Sequence, residues 1–454
     1  MALQQPADDS PELALARVQR ALDARSPDRI VPTLDRITAL LELMGEPQRS
    51  YPSIHVTGTN GKTSTVRMID ALLRAFGLRT GRYTSPHLES VTERIALTGE
   101  PLSAAAFAAA YDEVAPYAEL LDARSADPVT YFELVTAMAF AAFADAPVDI
   151  GVIEVGLGGR WDATNVIQAP VAVVTPIDLD HQSYLGDTVA QVAADKAGIV
   201  HAGSILVTAR QPATAAAELL RRAAEVGVTV AREGVEFGVA SRSMAVGGQL
   251  LTLQGLHGSY DDVFLPLHGA HQAGNAACAV AAVEAFLGGG RGTLDPEAVH
   301  AGFAAVDSPG RLERVRTSPT VLLDAAHNPA GARARAAAIA EEFEFGQLVG
   351  VVAMLADKDV RGILEALEPV LAAVVVTTNS SPRALAADEL GALAVDVFGA
   401  DRVEVAVRLD DAIEAGVALA EEGGDLSGAG VLVTGSVITV GDGRRLLRAG
   451  RTPR

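Results

Sequence analysis

The sequence predicts an α/β protein with two domains, each built around a mostly parallel β-sheet. With 454 residues, the chain is longer than a single hydrophobic core usually organises. Short β-rich segments alternate with segments of helical periodicity, which is the pattern of strand–helix–strand crossovers. The alternation is interrupted over residues 235–310, so one series of crossovers precedes this region and a second series follows it.

The first series begins after two amphipathic helices, predicted from Pro11 to Leu22 and from Leu34 to Met44. Its predicted strands are Ile54–Thr57, Val148–Val155, Val171–Pro176, Ile205–Thr208 and Val228–Ala231. The most apolar helical segment, Phe132–Ala144, is shorter than the roughly 20 residues that a membrane span needs. We therefore expect no membrane span.

The interrupting region begins with short alternating stretches over Val235–Leu267, which predict a small antiparallel appendage on the first domain. Two helices then lead to the turn Asp307–Gly310, where we place the boundary between domains 1–307 and 308–454. The strands of the second series, which predict a Rossmann-like domain, are Thr320–Asp324, Leu348–Met354, Ala373–Thr378, Val403–Val405 and Val431–Thr434.

The loop between the first strand and the next helix is typical of a phosphate-binding site. Gly58 and Gly61 allow backbone N–H groups to turn toward an anion, and the helix N-terminus adds the positive end of its dipole. Lys62 can reach terminal phosphates, and the Thr63 hydroxyl can hold Mg²⁺. The glycines are closer together than in the general phosphate-loop motif, so the position between strand and helix carries the prediction of a P-loop; the alternative is a plain strand-to-helix turn.

Composition excludes several classes of function. The formal net charge of −21 disfavours binding to nucleic acid or to anionic membranes. One cysteine, Cys278, excludes a disulfide scaffold and a multi-cysteine zinc site. The N-terminus lacks a basic region followed by an apolar core, so no secretory signal is expected. These features together predict a soluble cytoplasmic protein.

Polar residues follow two of the predicted strands, at the edge where ligands bind in parallel sheets. Glu154 ends an otherwise apolar strand, where a carboxylate is costly to bury unless it is paired or binds a metal. Asp180 and His181 follow the next strand. Mg²⁺ ligation is the functional interpretation; a loop-capping carboxylate and a structural histidine are the alternatives.

Three further segments have a functional and a structural interpretation. Ser85 follows Tyr83 in a loop that suits a cation or phosphate ligand, and also reads as a proline-containing turn. Lys196 is either a site residue or a solvated lysine. Thr130–Glu133 offers aromatic surface for a ligand, and is equally consistent with the start of a core helix.

Several segments, in this order, resemble the folylpolyglutamate synthase and dihydrofolate synthase family of the Mur ligase superfamily. They are His55-Val-Thr-Gly-Thr-Asn-Gly-Lys-Thr-Ser64, Thr84-Ser-Pro-His-Leu88, Thr130-Tyr-Phe-Glu133, Glu154-Val-Gly-Leu-Gly-Gly-Arg-Trp-Asp-Ala-Thr-Asn165, Asp180-His181, Lys196-Ala-Gly-Ile199, His271-Gln-Ala-Gly-Asn275, Pro309-Gly-Arg-Leu-Glu313 and Leu323-Asp-Ala-Ala-His-Asn-Pro329. The chain departs from the family at Trp161, where a smaller apolar residue is expected, and at Ala325, where glycine is expected.

The resemblance implies a role for each matching residue. The ATP-binding residues would be Thr59, Asn60, Gly61, Lys62, Thr63, Ser64, Asn275, Arg311 and Asp324. Ser85, Glu154 and His181 would ligate Mg²⁺, with room for a second divalent cation. Lys196 would be carbamylated, and His327 would lie where the incoming glutamate binds. The pteroate pocket would be lined by Thr130, Tyr131, Phe132, Glu133, Asp162 and Ala163.

The implied reaction is ATP-dependent ligation of L-glutamate to dihydropteroate and to reduced folates through an acyl phosphate. The implied catalytic residues are Lys62, Lys196, His181 and His327, and the protein is expected to act as a monomer. A monofunctional folylpolyglutamate synthase, a peptidoglycan-precursor ligase, a glutamate-independent P-loop ATPase and a non-catalytic nucleotide-binding module are the alternatives.

Overall fold

A computed structural model describes residues 10–25, 31–125, 127–288, 292–422 and 428–449. The chain divides into two compact units. The first unit runs to Val239 and adds Leu253–Asp261 and Asn275–Ala305. The second comprises Ala240–Thr252, Asp262–Gly274 and the chain from Val306 onward, so it includes parts of the region that the sequence analysis assigned to the first domain.

The helices and strands cover most of the described residues. The α-helices are α1 (Pro11–Asp23), α2 (Asp35–Leu43), α3 (Lys62–Ala75), α4 (Ala104–Asp122), α5 (Tyr131–Asp145), α6 (Gln182–Leu185), α7 (Val189–Lys196), α8 (Ala213–Val226), α9 (Ala270–Gly288), α10 (Pro296–Ala304), α11 (Pro329–Glu342), α12 (Val360–Leu367), α13 (Ala387–Phe398), α14 (Leu409–Glu421) and α15 (Val437–Ala449). The strands are β1 (Ser53–Thr57), β2 (Thr80–Tyr83), β3 (Ile95–Leu97), β4 (Glu100–Pro101), β5 (Ile150–Glu154), β6 (Val171–Val174), β7 (Ile205–Thr208), β8 (Thr229–Arg232), β9 (Gly238–Ala245), β10 (Gly248–Gln254), β11 (Ser259–Leu265), β12 (Glu313–Thr317), β13 (Thr320–Asp324), β14 (Gln347–Val352), β15 (Ala373–Val376), β16 (Val403–Val405) and β17 (Ala429–Thr434).

The first unit is organised by an eight-stranded sheet in the order β4-β3-β2-β5-β1-β6-β7-β8. The neighbouring strands β2, β5, β1, β6, β7 and β8 are parallel. At one edge, β3 is antiparallel to β2, and β4 is antiparallel to β3. β1 lies between β5 and β6, where the order of connection reverses. Parallel sheets bind ligands at the carboxyl ends of strands at such a reversal, so the loops after β1, β5 and β6 are placed to form one site.

The second unit contains a six-stranded sheet in the order β12-β13-β17-β14-β15-β16. All its strands are parallel except β12, which is antiparallel to β13. A small three-stranded sheet has the order β11-β10-β9. The predicted α/β architecture is confirmed.

Several predicted strands have the observed boundaries. Ile205–Thr208, Thr320–Asp324 and Val403–Val405 coincide with the predicted strands residue for residue. The short antiparallel strands β3, β4 and β12 were not predicted, because two to five residues at a sheet edge carry little periodicity.

The helix α5 forms the centre of the core on one side of the first sheet. Leu134, Met138 and Phe140 are fully buried, in a cluster with residues of α1, α2 and α4. An apolar helix without a polar face is typical of such a central position. Within the described residues, no helix is long and apolar enough to cross a membrane.

A buried ion pair joins α3 to the neighbouring strand β2. Asp70 is fully buried and accepts hydrogen bonds from Arg82 Nη1 at 2.8 Å and from Thr80 Oγ1 at 2.5 Å. Arg82 is only 4 % exposed. Removing one charge from such a pair leaves the other desolvated and uncompensated.

We predict that Asp70→Asn lowers the free energy of unfolding by about 3–5 kcal/mol, the usual effect of breaking a buried ion pair. The same substitution at Asp112, which pairs with Arg17 on the surface, should cause no measurable change because exposed pairs contribute little. Denaturant unfolding followed by circular dichroism measures both. Equal stability of the two variants would contradict the role assigned to the buried pair.

Candidate functional site

The loop after β1 passes so close to its neighbours that two positions require glycine. A Cβ on Gly58 would lie 1.8 Å from Thr175 Oγ1, and a Cβ on Gly61 would lie 2.5 Å from Asn275 Oδ1. Gly61 also has a φ of +88°, which other residues rarely adopt. The loop is thereby held against the end of β6 and against Asn275, which is 4 % exposed.

The amides between the two glycines are bonded within the protein. Thr59 N and Asn60 N donate to the carbonyl of Pro176, at 3.0 and 3.3 Å. Thr59 Oγ1 donates to the carbonyl of Asp178 at 2.8 Å. These bonds secure the loop to the segment after β6, so the anion-binding feature next to the glycines is the N-terminal turn of α3, which begins at Lys62.

Two lysine side chains donate to one carbonyl oxygen in this loop. Lys62 Nζ lies 3.0 Å from Gly58 O and 3.1 Å from Thr59 O. Lys196 Nζ, from the last residue of α7, lies 2.9 Å from the same Gly58 O. Lys196 is 4 % exposed, which excludes the solvated interpretation. Burial, followed by the charge of Lys62, lowers the pKa of Lys196 to about 7.

Oxygen atoms suited to Mg²⁺ meet at the start of α3. Thr63 Oγ1 donates to Glu154 Oε1 at 2.8 Å, and Ser85 N donates to Glu154 Oε2 at 3.4 Å. Glu154, at the end of β5, is 1 % exposed. No group of three or more histidine, cysteine or acidic side chains suited to a metal occurs among the described residues. A hydroxyl and one carboxylate nevertheless fit Mg²⁺, which takes its other ligands from water and phosphate.

His181 lies in the loop after β6. Its backbone is left-handed, with a φ of 51°, and its N–H donates to Asp180 Oδ1 at 2.8 Å. The His181 imidazole is 37 % exposed and its Nε2 lies 3.9 Å from the same carboxylate oxygen. The loop adjoins the phosphate loop through the bond between Thr59 and Asp178.

A glycine-rich segment after β5 packs against the end of α7. Gly159 N donates to Asp195 Oδ1 at 2.8 Å, and Arg160 N donates to Asp195 O at 3.0 Å. A Cβ on Gly159 would lie 2.8 Å from Lys196 O. This close approach fixes the backbone that carries Lys196.

Thr130 and Glu133 form a capping box at the start of α5. Glu133 Oε2 accepts from Thr130 N at 2.8 Å and from Thr130 Oγ1 at 2.9 Å, while Thr130 Oγ1 accepts from Glu133 N. Arg36 Nε also donates to both Glu133 oxygens at 3.0 Å. These polar groups therefore stabilise the helix start. Tyr131 and Phe132, between them, are partly exposed and remain the candidates for aromatic contact with a ligand.

Asp162 and Ala163 begin a short 3₁₀ turn after the glycine-rich segment. Asp162 Oδ2 accepts from Leu157 N at 2.8 Å, and Oδ1 accepts from Thr164 N at 3.0 Å. Burial raises the pKa of the Asp162 carboxyl, although these hydrogen bonds act in the opposite direction. The Phe132 ring packs against the same segment, since a Cβ on Gly156 would lie 2.5 Å from Phe132 Cζ.

In the second unit, Asp324 ends β13 and is fully buried. Its Oδ2 accepts from Leu312 N at 3.0 Å and from Arg335 Nε at 2.6 Å. Arg335 Nη1 also contacts His271 Nε2. Burial, followed by Arg335, keeps the pKa of His271 well below its usual range, so the neutral ring is the acceptor.

Arg311 and His327 lie on either side of β13 in sequence. Arg311 Nη1 donates to Gly310 O at 3.1 Å. His327 Nδ1 lies 3.0 Å from Ala325 O, a bond that places the proton on Nδ1. Ala325 N donates to Gly310 O at 2.9 Å, so the two segments are joined through the backbone.

Two family models and several known proteins match this chain. Residues 56–283 match the Mur ligase middle domain, and residues 310–437 match the Mur ligase, glutamate ligase domain. The dihydrofolate synthase/folylpolyglutamate synthase of Mycobacterium tuberculosis is 53 % identical over 97 % of this chain and 95 % of its own length. The chain belongs to the folylpolyglutamate synthase and dihydrofolate synthase family, whose members are ATP-dependent ligases.

Solved structures of this synthase family superpose on the chain. The M. tuberculosis folylpolyglutamate synthase complexed with ADP has a TM-score of 0.93, with 98 % of this chain and 100 % of that one covered at 53 % identity. Escherichia coli FolC in complex with DHPP and ADP has a TM-score of 0.84 at 30 % identity, covering 99 % of this chain and 100 % of that one. The synthase fold is therefore the same in all three proteins.

The structure adds residues that the sequence did not indicate. Arg94 packs over the Tyr131 ring at 5.3 Å and its Nε donates to His87 Nδ1 at 2.9 Å. Arg36 and Arg335 contact Glu133 and Asp324, respectively. An isolated arginine belongs to no sequence motif. Arg36 lies 97 residues from Glu133, and Arg94 and Arg335 contact their partners across a loop.

We predict that Gly61→Ala weakens ADP binding at least about tenfold, because the added methyl group displaces Asn275 and the start of α3. Gly77→Ala is the matched control: its φ of +81° is nearly the same, and its Cβ would meet nothing within 4 Å. Both variants carry the same backbone strain of about 1–2 kcal/mol. Isothermal titration with ADP separates the two effects, and equal weakening in both variants would refute the steric explanation.

Proposed function

We propose that the protein joins L-glutamate, with hydrolysis of ATP, to dihydropteroate and to folylpolyglutamate. One observation supports the proposal above all: at the start of α3, Lys62 donates to the phosphate loop and Thr63 donates to Glu154. A lysine, a hydroxyl and a carboxylate at a helix N-terminus are the groups that bind a triphosphate and its metal ion. The names of the relatives supply the acceptor and the amino acid, and dihydrofolate synthase/folylpolyglutamate synthase is the name of several of them.

The chemistry needs an activated carboxylate. A carboxylate oxygen of the acceptor attacks the γ-phosphorus of ATP, ADP leaves, and an acyl phosphate forms. The amine of glutamate then attacks the acyl carbon, loses a proton, and inorganic phosphate leaves from the tetrahedral intermediate. Lys62 neutralises charge on the transferred phosphoryl group, after exchanging its bonds to Gly58 O and Thr59 O for phosphate oxygens.

Mg²⁺ would be held by the Thr63 hydroxyl and Glu154, with Ser85 and His181 as further ligands and room for a second divalent cation. The ion supplies charge neutralisation and fixed geometry for the phosphates. The short distance from Thr63 Oγ1 to Glu154 Oε1, 2.8 Å, supports this donor set. ADP or ATP analogues in the related structures support nucleotide binding.

Lys196 would be converted to a carbamate. The neutral amine attacks carbon dioxide, a C–N bond forms, and one proton is released to give an anion. A pKa of about 7 provides neutral amine at physiological pH, and the resulting negative charge would offset the nearby ammonium of Lys62. Burial favours the neutral amine that reacts, and attraction to the Lys62 ammonium favours the carbamate product.

Asn275, Arg311 and Asp324 would contact ATP, and His327 would bind glutamate, as the family resemblance implies. For the acceptor, Phe132 and Tyr131 would stack on the pterin, while Thr130, Glu133, Asp162 and Ala163 would form the wall of the pocket. We further propose a monomer acting in the cytoplasm, where ATP and folates are available. The free buried thiol of Cys278 is compatible with that compartment.

We predict that ADP release requires both L-glutamate and a pterin acceptor. Purified protein with Mg-ATP and glutamate is assayed with dihydropteroate, tetrahydrofolate or a UDP-muramoyl substrate. Release with both pterins supports the bifunctional reading, and release with tetrahydrofolate alone makes the protein a monofunctional folylpolyglutamate synthase. Release with the UDP-muramoyl substrate, or without any acceptor or glutamate, would overturn the folate assignment.

Lys62→Ala should abolish this turnover, by at least about a thousandfold, because phosphoryl transfer depends on electrostatic stabilisation. Lys196→Ala should be nearly as severe. An unchanged unfolding midpoint controls for misfolding, since both side chains donate to loop carbonyls. A Lys196→Ala enzyme with full activity would remove the carbamate from the mechanism.

Labelling tests the carbamate directly. With ¹³C-bicarbonate, the wild-type protein should give one carbamate carbonyl resonance that is missing from Lys196→Arg. Because the neutral amine reacts, the occupancy should rise as pH increases through 7, with about half of the amine neutral at the pKa. A resonance that persists in Lys196→Arg would assign the carbamate to another amine.

A further inference from the structure

A chain of three buried polar side chains runs from β1 to the 3₁₀ turn beside Phe132. His55 Nε2 lies 2.8 Å from Thr164 Oγ1, and Thr164 Oγ1 lies 2.5 Å from Asp162 Oδ1. His55 and Thr164 are both fully buried, and Asp162 is 5 % exposed. The first member belongs to the strand that precedes the phosphate loop, and the last caps the turn proposed to line the acceptor pocket.

The direction of each hydrogen bond follows from the number of protons. The Asp162 carboxylate also accepts from Leu157 N and Thr164 N, so it receives the single hydroxyl proton of Thr164. Thr164 Oγ1 must then accept from His55, which places the imidazole proton on Nε2. Burial lowers the pKa of His55 to about 3, so the ring stays neutral and this arrangement persists at physiological pH.

This tautomer leaves His55 Nδ1 as a buried acceptor without a hydrogen-bond partner among the described residues. An unpaired buried acceptor is unfavourable. The neighbours Ile54 and Val56 are apolar and fully buried, and an apolar residue at position 55 would fill the same core without this cost. Packing alone therefore does not explain a histidine here, whereas the bond to Thr164 does.

The hydrogen-bonded chain ends at the segment proposed to line the acceptor pocket. Asp162 joins the glycine-rich segment, through Leu157 N, to the turn that begins at Ala163. The Thr164 hydroxyl supplies one of the donors that favour the ionised form of this buried carboxylate and hold it in one orientation. Without the hydrogen bond from His55, Thr164 Oγ1 loses one of the two partners that fix its orientation.

We propose that His55 is a positioning residue for acceptor binding, acting through Thr164 on Asp162 and on the pocket wall from Gly156 to Ala163. This inference rests on the proposed function, in which that wall contacts the pterin of the acceptor. In this proposal β1 positions the acceptor pocket through His55, in addition to leading into the phosphate loop, and ATP binding does not depend on the His55 side chain. Acceptor affinity should therefore change without a change in nucleotide affinity.

The test compares the Michaelis constants for dihydropteroate, ATP and glutamate in His55→Leu, Thr164→Val and the double variant. We expect KM for dihydropteroate to rise about tenfold in each single variant, the effect of one buried hydrogen bond. KM for ATP should stay within about twofold. The double variant should be no worse than either single one, because both break the same chain. His55→Gln, whose amide can donate to Thr164, should recover much of the affinity.

His201→Leu is the matched control. His201 Nε2 bonds to Asn165 Oδ1 at 3.0 Å in the same turn, but it lies outside the chain. If His55→Leu leaves KM for dihydropteroate unchanged, the inference is wrong. It is also wrong if His55→Leu and His201→Leu alter all three Michaelis constants alike. Absence of pterin-dependent turnover in the wild type would instead defeat the proposed function.

A second readout does not depend on activity. Nitrogen-15 spectra of the histidine side chains, assigned by the loss of one signal in His55→Gln, should give the Nε2–H tautomer for His55 throughout pH 5–8. Thr164→Val should alter that signal, whereas His201→Leu should leave its tautomer unchanged. A protonated Nδ1 in the wild type would overturn the inference.

Discussion

The carbonyl oxygen of Gly58 accepts hydrogen bonds from two lysines, and this shared bond is the constraint around which the site is organised. Burial first, and then repulsion from the nearby ammonium of Lys62, lowers the pKa of Lys196 to about 7. The arrangement favours any event that adds negative charge. Binding of phosphate beside Lys62 is one such event, and conversion of Lys196 to a carbamate is another.

The sheet topology makes this convergence possible. β1 lies between β5 and β6, so the loops that follow these strands meet at one edge although they are distant in sequence. Glu154 ends β5, Thr63 begins the helix after β1, and Pro176 follows β6. Each side chain is held by a strand end or helix start rather than by a long loop, which gives precise positions for phosphate chemistry.

The second unit also holds a candidate site residue at the end of a parallel strand, here through an ion pair. Asp324 ends a parallel strand and is fixed by Arg335, which in turn contacts His271. His271 belongs to the segment Asp262–Gly274, which lies far earlier in the chain but groups with this unit. The His271-to-Asn275 motif thus contributes to both units, because Asn275 packs against Gly61 in the first.

The sequence by itself determined the α/β class, most strands and the phosphate loop, because buried parallel strands and glycine positions leave strong local patterns. Sequence also identified Glu154 and Lys196 as candidates. It did not determine whether Lys196 is buried, that Thr130 and Glu133 bond to each other and to Arg36, or that His55 bonds to Thr164. Those properties depend on which distant segments meet and on how much water they exclude. Only the tertiary structure decides them, since burial and proton direction arise from neighbours that the local sequence does not contain.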